Sequence, residues 1–302
     1  MYVCTDWFPC DGSRKYQRED GFWMDELICN QIDILIKNIK HDWDFTIVIT
    51  GGGEVRVGKS VLAMQIACYW SWRLFKEYGI EVPFSVQDNF CLEGKKLIQK
   101  GNELGQNHKY SALIFDEAGA DLEGTKVMTQ MTQDVLDYYR ECGQYNLLNI
   151  LVLPDFFSLP KGLALTRSIC LIDVYYSVGE DNIFERGYFN FYSRHSKKKL
   201  YLKGKRELDY SATKYDFNGK FSNFYPVDEQ EYRKLKQDTL MRRESKRRNK
   251  FQMQRDACWF LLTKEFGMTQ EQLGVRMEQL TGIFVPASTM SDGVRHFLAE
   301  NE

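Results

Sequence analysis

Phe45-Thr46-Ile47-Val48-Ile49-Thr50, running into Gly51-Gly52-Gly53-Glu54-Val55-Arg56-Val57-Gly58-Lys59-Ser60, is the stretch that decides the fold. Its first six residues are apolar or β-branched without a break, as in a strand buried on both faces. From Lys59 to about Tyr78, the residues Leu62, Ile66, Trp70 and Leu74 recur at helical spacing, and Gly79 closes the run. Between strand and helix, Gly53 to Ser60 satisfies G-x-x-x-x-G-K-[ST], in the context that pattern requires. Gly53 and Gly58 can take backbone conformations closed to other residues, so the loop can bend around an anion. The amides of Val57, Gly58, Lys59, Ser60 and Val61 are then candidates to cradle phosphate oxygens at a helix N-terminus. Lys59 is placed to reach the β- and γ-phosphates, and Ser60 to put its hydroxyl on Mg²⁺.

Outward from this loop the chain alternates strands and helices. Met24 to Ile39 reads as a helix carrying Leu27, Ile28, Ile32, Ile34, Leu35 and Ile36. Ser111-Ala112-Leu113-Ile114-Phe115 reads as a buried strand with Asp116 and Glu117 at its end. A helix is expected over about Lys126 to Cys142, then strands over Asn149–Leu153 and Ile169–Tyr176. The pattern predicts an α/β domain with a largely parallel sheet. The expected organisation is an N-terminal extension over 1–40, an α/β core over 41–190, a basic linker or hairpin with a charged helix over 191–250, and a helical module over 251–302. No internal repeat is visible.

An acidic residue at the end of a strand beside a phosphate loop can hold the water shell of Mg²⁺, which falls to Asp116. Glu117 is then placed to orient and deprotonate the attacking water. The two motifs are expected to meet at the carboxyl ends of adjacent strands. Gly53 to Ser60 together with Phe115-Asp116-Glu117 resembles the P-loop NTPases with an additional catalytic glutamate, the RecA-like and AAA-like enzymes. The Asp-Glu pair, the helix to Arg140 and the strand Ile150 to Leu153 look most like DNA-pumping motors: the FtsK/HerA family, phage packaging ATPases and the ATPase domain of Zot-like phage proteins. The resemblance covers roughly residues 40 to 180. It implies a RecA-like fold, ATP with Mg²⁺, assembly into a ring, and an arginine supplied by a neighbouring subunit, for which Arg140, Arg167 and Arg186 are candidates. Such motors often carry a polar sensor at the end of the third strand, where this chain has Leu153-Pro154-Asp155. No membrane segment follows the core, unlike Zot-like proteins.

The net charge of -2 conceals a segregation. From Arg194 to Arg255 there are 19 Lys and Arg against 8 Asp and Glu, and elsewhere 21 against 34. A basic arm attached to an acidic body suits a polyanion partner, DNA above all. Candidate contacts are Lys197, Lys198, Lys199, Arg242, Arg243, Arg247 and Arg248. Past residue 250, Thr269 with Gln272 reads as a capping box, and the run to Ser288 resembles helix-turn-helix domains, which would offer Thr289, Ser291, Asp292 and Arg295 to a groove. The eight cysteines form no C-x-x-C pair, and Cys68, Cys170 and Cys258 lie in apolar stretches. They suit a reduced, cytoplasmic chain, with Cys4 and Cys10 the remaining pair close enough to bridge or bind metal. No apolar run reaches the roughly 18 residues of a membrane span, and no secretory signal opens the chain. The function expected is an ATP-dependent DNA motor for translocation, packaging or transfer. The alternatives are an ATP-dependent assembly switch on DNA, such as a transposition or replication regulator, and a P-loop kinase or signalling switch without DNA.

Overall fold

The structure, a computed structural model, describes residues 2–4, 22–118 and 130–301. Two compact units divide the chain, Met1–Tyr232 and Arg233–Glu302.

The first unit is built on a seven-stranded sheet. Its strands are β3 (Phe45–Thr50), β4 (Phe90–Cys91), β5 (Ala112–Phe115), β6 (Leu148–Val152), β7 (Cys170–Val178), β8 (Phe184–Tyr192) and β9 (Phe217–Lys220), in the spatial order β4-β5-β6-β3-β7-β8-β9. The short pair β1 (Tyr2–Cys4) and β2 (Phe22–Met24) is separate and antiparallel. From β4 to β7 the sheet is parallel, and β8 and β9 add antiparallel strands at one edge. This is the predicted α/β, RecA-like arrangement with a largely parallel sheet. The central strands are buried on both faces, as their unbroken apolar composition requires.

Strand alternation sends Val48, Leu113, Phe115, Leu151 and Leu171 to one face, where they join one core. Helices α4 (Gly94–Asn107), α5 (Gln130–Glu141) and α6 (Arg194–Gly204) supply that core with Leu97, Leu104, Val135, Tyr139, Leu200 and Tyr201. The opposite face, carrying Ile47, Ile49, Ile114, Ile150 and Ile172, is buried too. Helix α2 (Lys59–Tyr78) touches β3, β5 and β6, and α1 (Glu26–Ile39) packs on α2. Asp25 caps α1 by accepting from the Leu27 amide at 2.9 Å. A one-turn helix α3 (Val86–Asn89) leads into β4. In α1, Leu27 and Ile34 are about half exposed rather than inward, while Ile28, Ile32 and Ile36 are buried.

Residues 22–40 and 191–232 fall within this unit. Helix α1 packs on α2, and β8 and β9 extend the sheet. The basic run Ser193–Lys205 is mostly helix α6, whose inner residues Leu200 and Tyr201 are buried. The predicted start of the helix at Lys126 lies outside the described residues, as does Cys10 of the Cys4–Cys10 pair.

The second unit carries most of α7 (Glu229–Phe260), with α8 (Gln270–Thr281) and α9 (Ala287–Asn301). Trp259, Leu273, Met290 and Val294 form its core. The expected capping box forms: the Thr269 hydroxyl accepts from the Gln272 amide at 3.2 Å, and the Thr269 amide donates to the Gln272 side chain at 3.0 Å. Gly293 lets α9 lie against α7, since a Cβ there would come within 2.7 Å of Asp256 and Trp259. Cys258 is exposed, contrary to its apolar surroundings in sequence, whereas Cys29, Cys68, Cys91, Cys142 and Cys170 are buried. Among the described residues no helix is long and apolar enough to cross a membrane.

Candidate functional site

The phosphate loop sits at the carboxyl end of β3, and α2 begins at Lys59. Its backbone takes left-handed conformations at Gly53 (φ 85°) and Gly58 (φ 105°), the two glycines of the motif, and also at Arg56 (φ 61°). The loop is anchored from below. The Gly53 amide donates to the Pro154 carbonyl at 2.9 Å, and Val57 is buried at 2% exposure. Lys59 donates its ammonium to the Glu54 carbonyl, so its charge lies along the inside of the loop. Gly51, outside the motif, is needed for this. A Cβ there would meet Val57 at 2.8 Å and the Lys59 ammonium at 3.0 Å.

Asp116 closes the other side. Its amide donates to the Cys91 carbonyl at 2.8 Å, and the Ala118 amide donates to Val152 at 3.1 Å, so the strand end is held between β4 and β6. Asp116 is 2% exposed, and Ser60 donates its hydroxyl to the Asp116 carboxylate at 2.8 Å. The two motifs meet, but not from adjacent strands: β6 lies between β3 and β5. That corrects the expected adjacency. The physical reason is that β3 already has β6 and β7 as its two hydrogen-bonding neighbours. Ser60 and Asp116 offer two hard oxygens, and Mg²⁺ is commonly held by one or two protein oxygens together with phosphates and waters. The pair therefore fits magnesium. No cluster of three or more ligating side chains occurs among the described residues.

Glu117 is half-buried and adopts φ 56°, a left-handed conformation uncommon for a residue with a side chain. Its amide donates to the other Asp116 oxygen at 2.9 Å. Tyr232, at the start of α7, places its hydroxyl 3.5 Å from Asp116 and packs edge-on against Phe90. Asp155, in the expected sensor position, accepts from the Tyr210 hydroxyl at 2.9 Å, and that hydroxyl accepts in turn from the Phe156 amide at 2.7 Å.

Asp173 was not singled out by the sequence. It is 7% exposed on β7, and Thr50 donates to it at 3.2 Å. Burial pushes its carboxyl from an ordinary 3.8 up to about 6, against the pull of Thr50, the Lys59 charge and the Gly52 amide, and with a push from Asp155. A lone carboxylate inside Cys170-Leu171-Ile172-Asp173-Val174 is the sequence signal that could have found it. Between pH 4 and 6 the folded state holds this proton more tightly than the unfolded chain, so stability falls as pH rises through that window. Asp173→Asn is expected to remove that fall, worth up to about 3 kcal/mol from a shift of about two pH units. Urea midpoints measured at pH 4, 5, 6 and 7 check it.

The arginine candidates lie apart from one another. Arg167 donates to Asp44 at 3.0 Å, at the amino ends of β7 and β3, opposite the phosphate loop. Arg140 is 73% exposed at the end of α5 and pairs with Asp137. Arg186 is exposed on β8.

Among the basic residues, one assignment is overturned. Lys197 is fully buried, and its ammonium donates to the Ala164 carbonyl at 2.8 Å, to the Ser168 hydroxyl at 2.6 Å and to the Ser168 carbonyl. It cannot touch a polyanion from there, and burial brings its pKa down to about 8. Lys198, Lys199 and Arg242 are exposed. The side chains of Arg243, Arg247 and Arg248 lie outside the described residues. Thr289 is exposed, and Arg295 is 78% exposed with Asp292 3.2 Å away.

No family model matches this chain, and no curated protein matches it. Solved structures do. The genome packaging NTPase B204 of Sulfolobus turreted icosahedral virus 2, in complex with AMPPCP, is 16% identical, with a TM-score of 0.31 over 51% of this chain and 94% of that one. The N-terminal domain of zonular occludens toxin from Neisseria meningitidis is 13% identical, with a TM-score of 0.34 over 63% and 97%. A KaiC-like protein from Pyrococcus horikoshii OT3 is 10% identical, with a TM-score of 0.26 over 56% and 72%. With scores this low, the function of this chain has to be read from its own residues.

Proposed function

We propose that the chain is a magnesium-dependent ATP hydrolase that couples turnover to movement along DNA. The observation that carries the hydrolase is the 2.8 Å hydrogen bond between Ser60 and Asp116, two residues 56 positions apart brought together beside a phosphate loop. In this reading the loop amides and Lys59 bind the phosphates, Ser60 and Asp116 hold the metal, and Glu117 takes the proton of the attacking water. Magnesium, when bound with the nucleotide, offsets charge on the phosphate oxygens.

The DNA partner is supported by charge. Helix α7 carries 10 Lys and Arg against 2 Asp and Glu between Arg233 and Arg255. Lys198 and Lys199 add exposed cations from α6. Assembly into a ring, with Arg140 or Arg167 completing a neighbour's site, belongs to the same proposal. A motor's ATPase rate is expected to rise with DNA length at fixed DNA mass, and to fall steeply with salt as phosphate contacts are lost. Stimulation independent of length, without displacement of a bound block, assigns the assembly switch instead. No response to DNA assigns a nucleotide switch without DNA.

A further inference from the structure

The phosphate loop fixes where a nucleotide's phosphates lie, and the strand order then limits where its nucleoside can lie. Ser60 and Asp116 mark the side toward β6 and β5, where the metal and terminal phosphate gather. The nucleoside must leave on the other side, over the carboxyl edge of β7 and the strands beyond it. Because β8 and β9 run antiparallel, Phe184–Tyr188 and Lys220 lie at this same end of the sheet.

A cleft of about 490 Å³ opens there, lined by Phe184, Arg186, Tyr188, Lys220, Phe221 and Asn223 among others. That volume suits a small ligand. Phe221 is its wall toward the phosphate loop: it is 3% exposed, and a Cβ on Gly58 would lie 3.2 Å from its ring.

Local structure builds this cleft. Tyr175 pairs with Tyr188 and Ser177 with Glu185, so Arg186 and Gly187 together oppose one residue of β7. Such a bulge re-aims a side chain. Gly187 has φ 94°, and a Cβ there would lie 2.5 Å from the Phe221 carbonyl oxygen, so the close approach of residue 221 requires glycine. The Phe221 amide donates to the Gly187 carbonyl at 2.8 Å. Gln65, on the helix that starts at the phosphate loop, donates to the Ser222 carbonyl at 2.7 Å and the Phe224 carbonyl at 2.8 Å. Lys220 is already engaged, 4.6 Å above the Tyr188 ring, and Tyr188 donates to Glu185 at 2.9 Å. Arg186 is exposed and has no ion-pair or hydrogen-bond partner among the described residues.

We propose that this cleft receives the nucleoside of the nucleotide whose phosphates lie at Gly53–Ser60, with the Arg186 guanidinium stacked on the base and Asn223 bonded to its edge. A planar guanidinium stacks well on an aromatic ring, and a carboxamide both donates and accepts. The inference rests on the nucleotide-binding reading above, and it gives Arg186 a role within its own subunit rather than a neighbour's.

The test compares ATP with inorganic tripolyphosphate, each with magnesium, by equilibrium binding to the full chain and to Arg186→Ala, Asn223→Ala and Lys59→Ala. Arg186→Ala is expected to weaken ATP about tenfold, the equivalent of about 1.4 kcal/mol, and Asn223→Ala about threefold. Neither is expected to change tripolyphosphate affinity, whereas Lys59→Ala weakens both ligands. Equal losses for the two ligands in Arg186→Ala would make it a phosphate contact and overturn the subsite, and unchanged ATP affinity in both cleft variants overturns it as well. A wild-type chain that binds neither ligand defeats the nucleotide reading itself, and the subsite with it. Both cleft side chains are exposed, so circular dichroism is expected to leave the fold unaltered.

Discussion

Glu117→Gln is expected to bind ATP with near-normal affinity and to hydrolyse it about 10²- to 10⁴-fold more slowly, the contribution typical of a positioned general base. The substitution keeps the shape of the side chain and its capacity to hydrogen-bond, and removes only the basic carboxylate. The surrounding geometry argues for so selective an effect. The Glu117 amide is tied to Asp116, whose other oxygen takes the Ser60 hydroxyl, so the backbone at 117 is held by the Ser60–Asp116 pair itself. The left-handed φ of 56° costs of order 1–3 kcal/mol, and such strain persists only where surrounding contacts impose it. Single-turnover hydrolysis, measured beside nucleotide affinity, separates chemistry from binding. Normal turnover in the variant would take Glu117 out of the mechanism.

Lys197→Ala is expected to destabilise the first unit by about 3–5 kcal/mol, more than any surface lysine could. Three acceptors from Ala164 and Ser168 surround the Lys197 ammonium in the closed interior. Truncation leaves the Ser168 carbonyl without that donor and opens a cavity where the four-carbon stem lay. At roughly 2–4 °C per kcal/mol for a unit of this size, the melting temperature falls by about 10 °C. The neighbouring Lys198→Ala and Lys199→Ala are expected to stay within about 0.5 kcal/mol of the parent. If either lysine contributes to DNA affinity, it does so without touching stability, and the contrast across three consecutive lysines reads out burial directly. A Lys197→Ala chain as stable as the parent would mean that the ammonium is not held as described.

How much of this was legible beforehand follows from how local each feature is. The loop from Gly53 to Ser60, the strand before it and the helix after it are contiguous, so β3 and α2 fall on the residues where periodicity put them. Asp116 and Glu117 were readable for the same reason, since a strand and the residues at its end are one stretch of chain. Strand order is not local, and nothing in the composition of Leu148–Val152 announces that it inserts between β3 and β5. The short β4 and the half-exposed β9 carry too few apolar residues for a pattern. Lys197 shows the limit most plainly: within Lys197-Lys198-Lys199 a buried ammonium and two solvated ones are written with the same letter. The acidic body and basic arm survive as a description of charge, with that lysine removed from the arm. Tyr232 left no local signal at all, because it meets Asp116 across 116 positions.

The pairing of β3 also sets a schedule for the newborn chain. Its hydrogen-bonding partners are β6 and β7, which begin at Leu148 and Cys170. At roughly 5–20 residues per second, the ribosome needs about 5–20 s after finishing Thr50 to make the first of them. Throughout that interval Phe45–Thr50 is an apolar, uncharged strand with two open edges, the kind of segment that pairs with other chains. ATP can do nothing to shelter it, because the loop it would grip has no floor until Pro154 emerges. A chain truncated before residue 148 is therefore expected to aggregate, because Phe45–Thr50 then has neither of its partner strands.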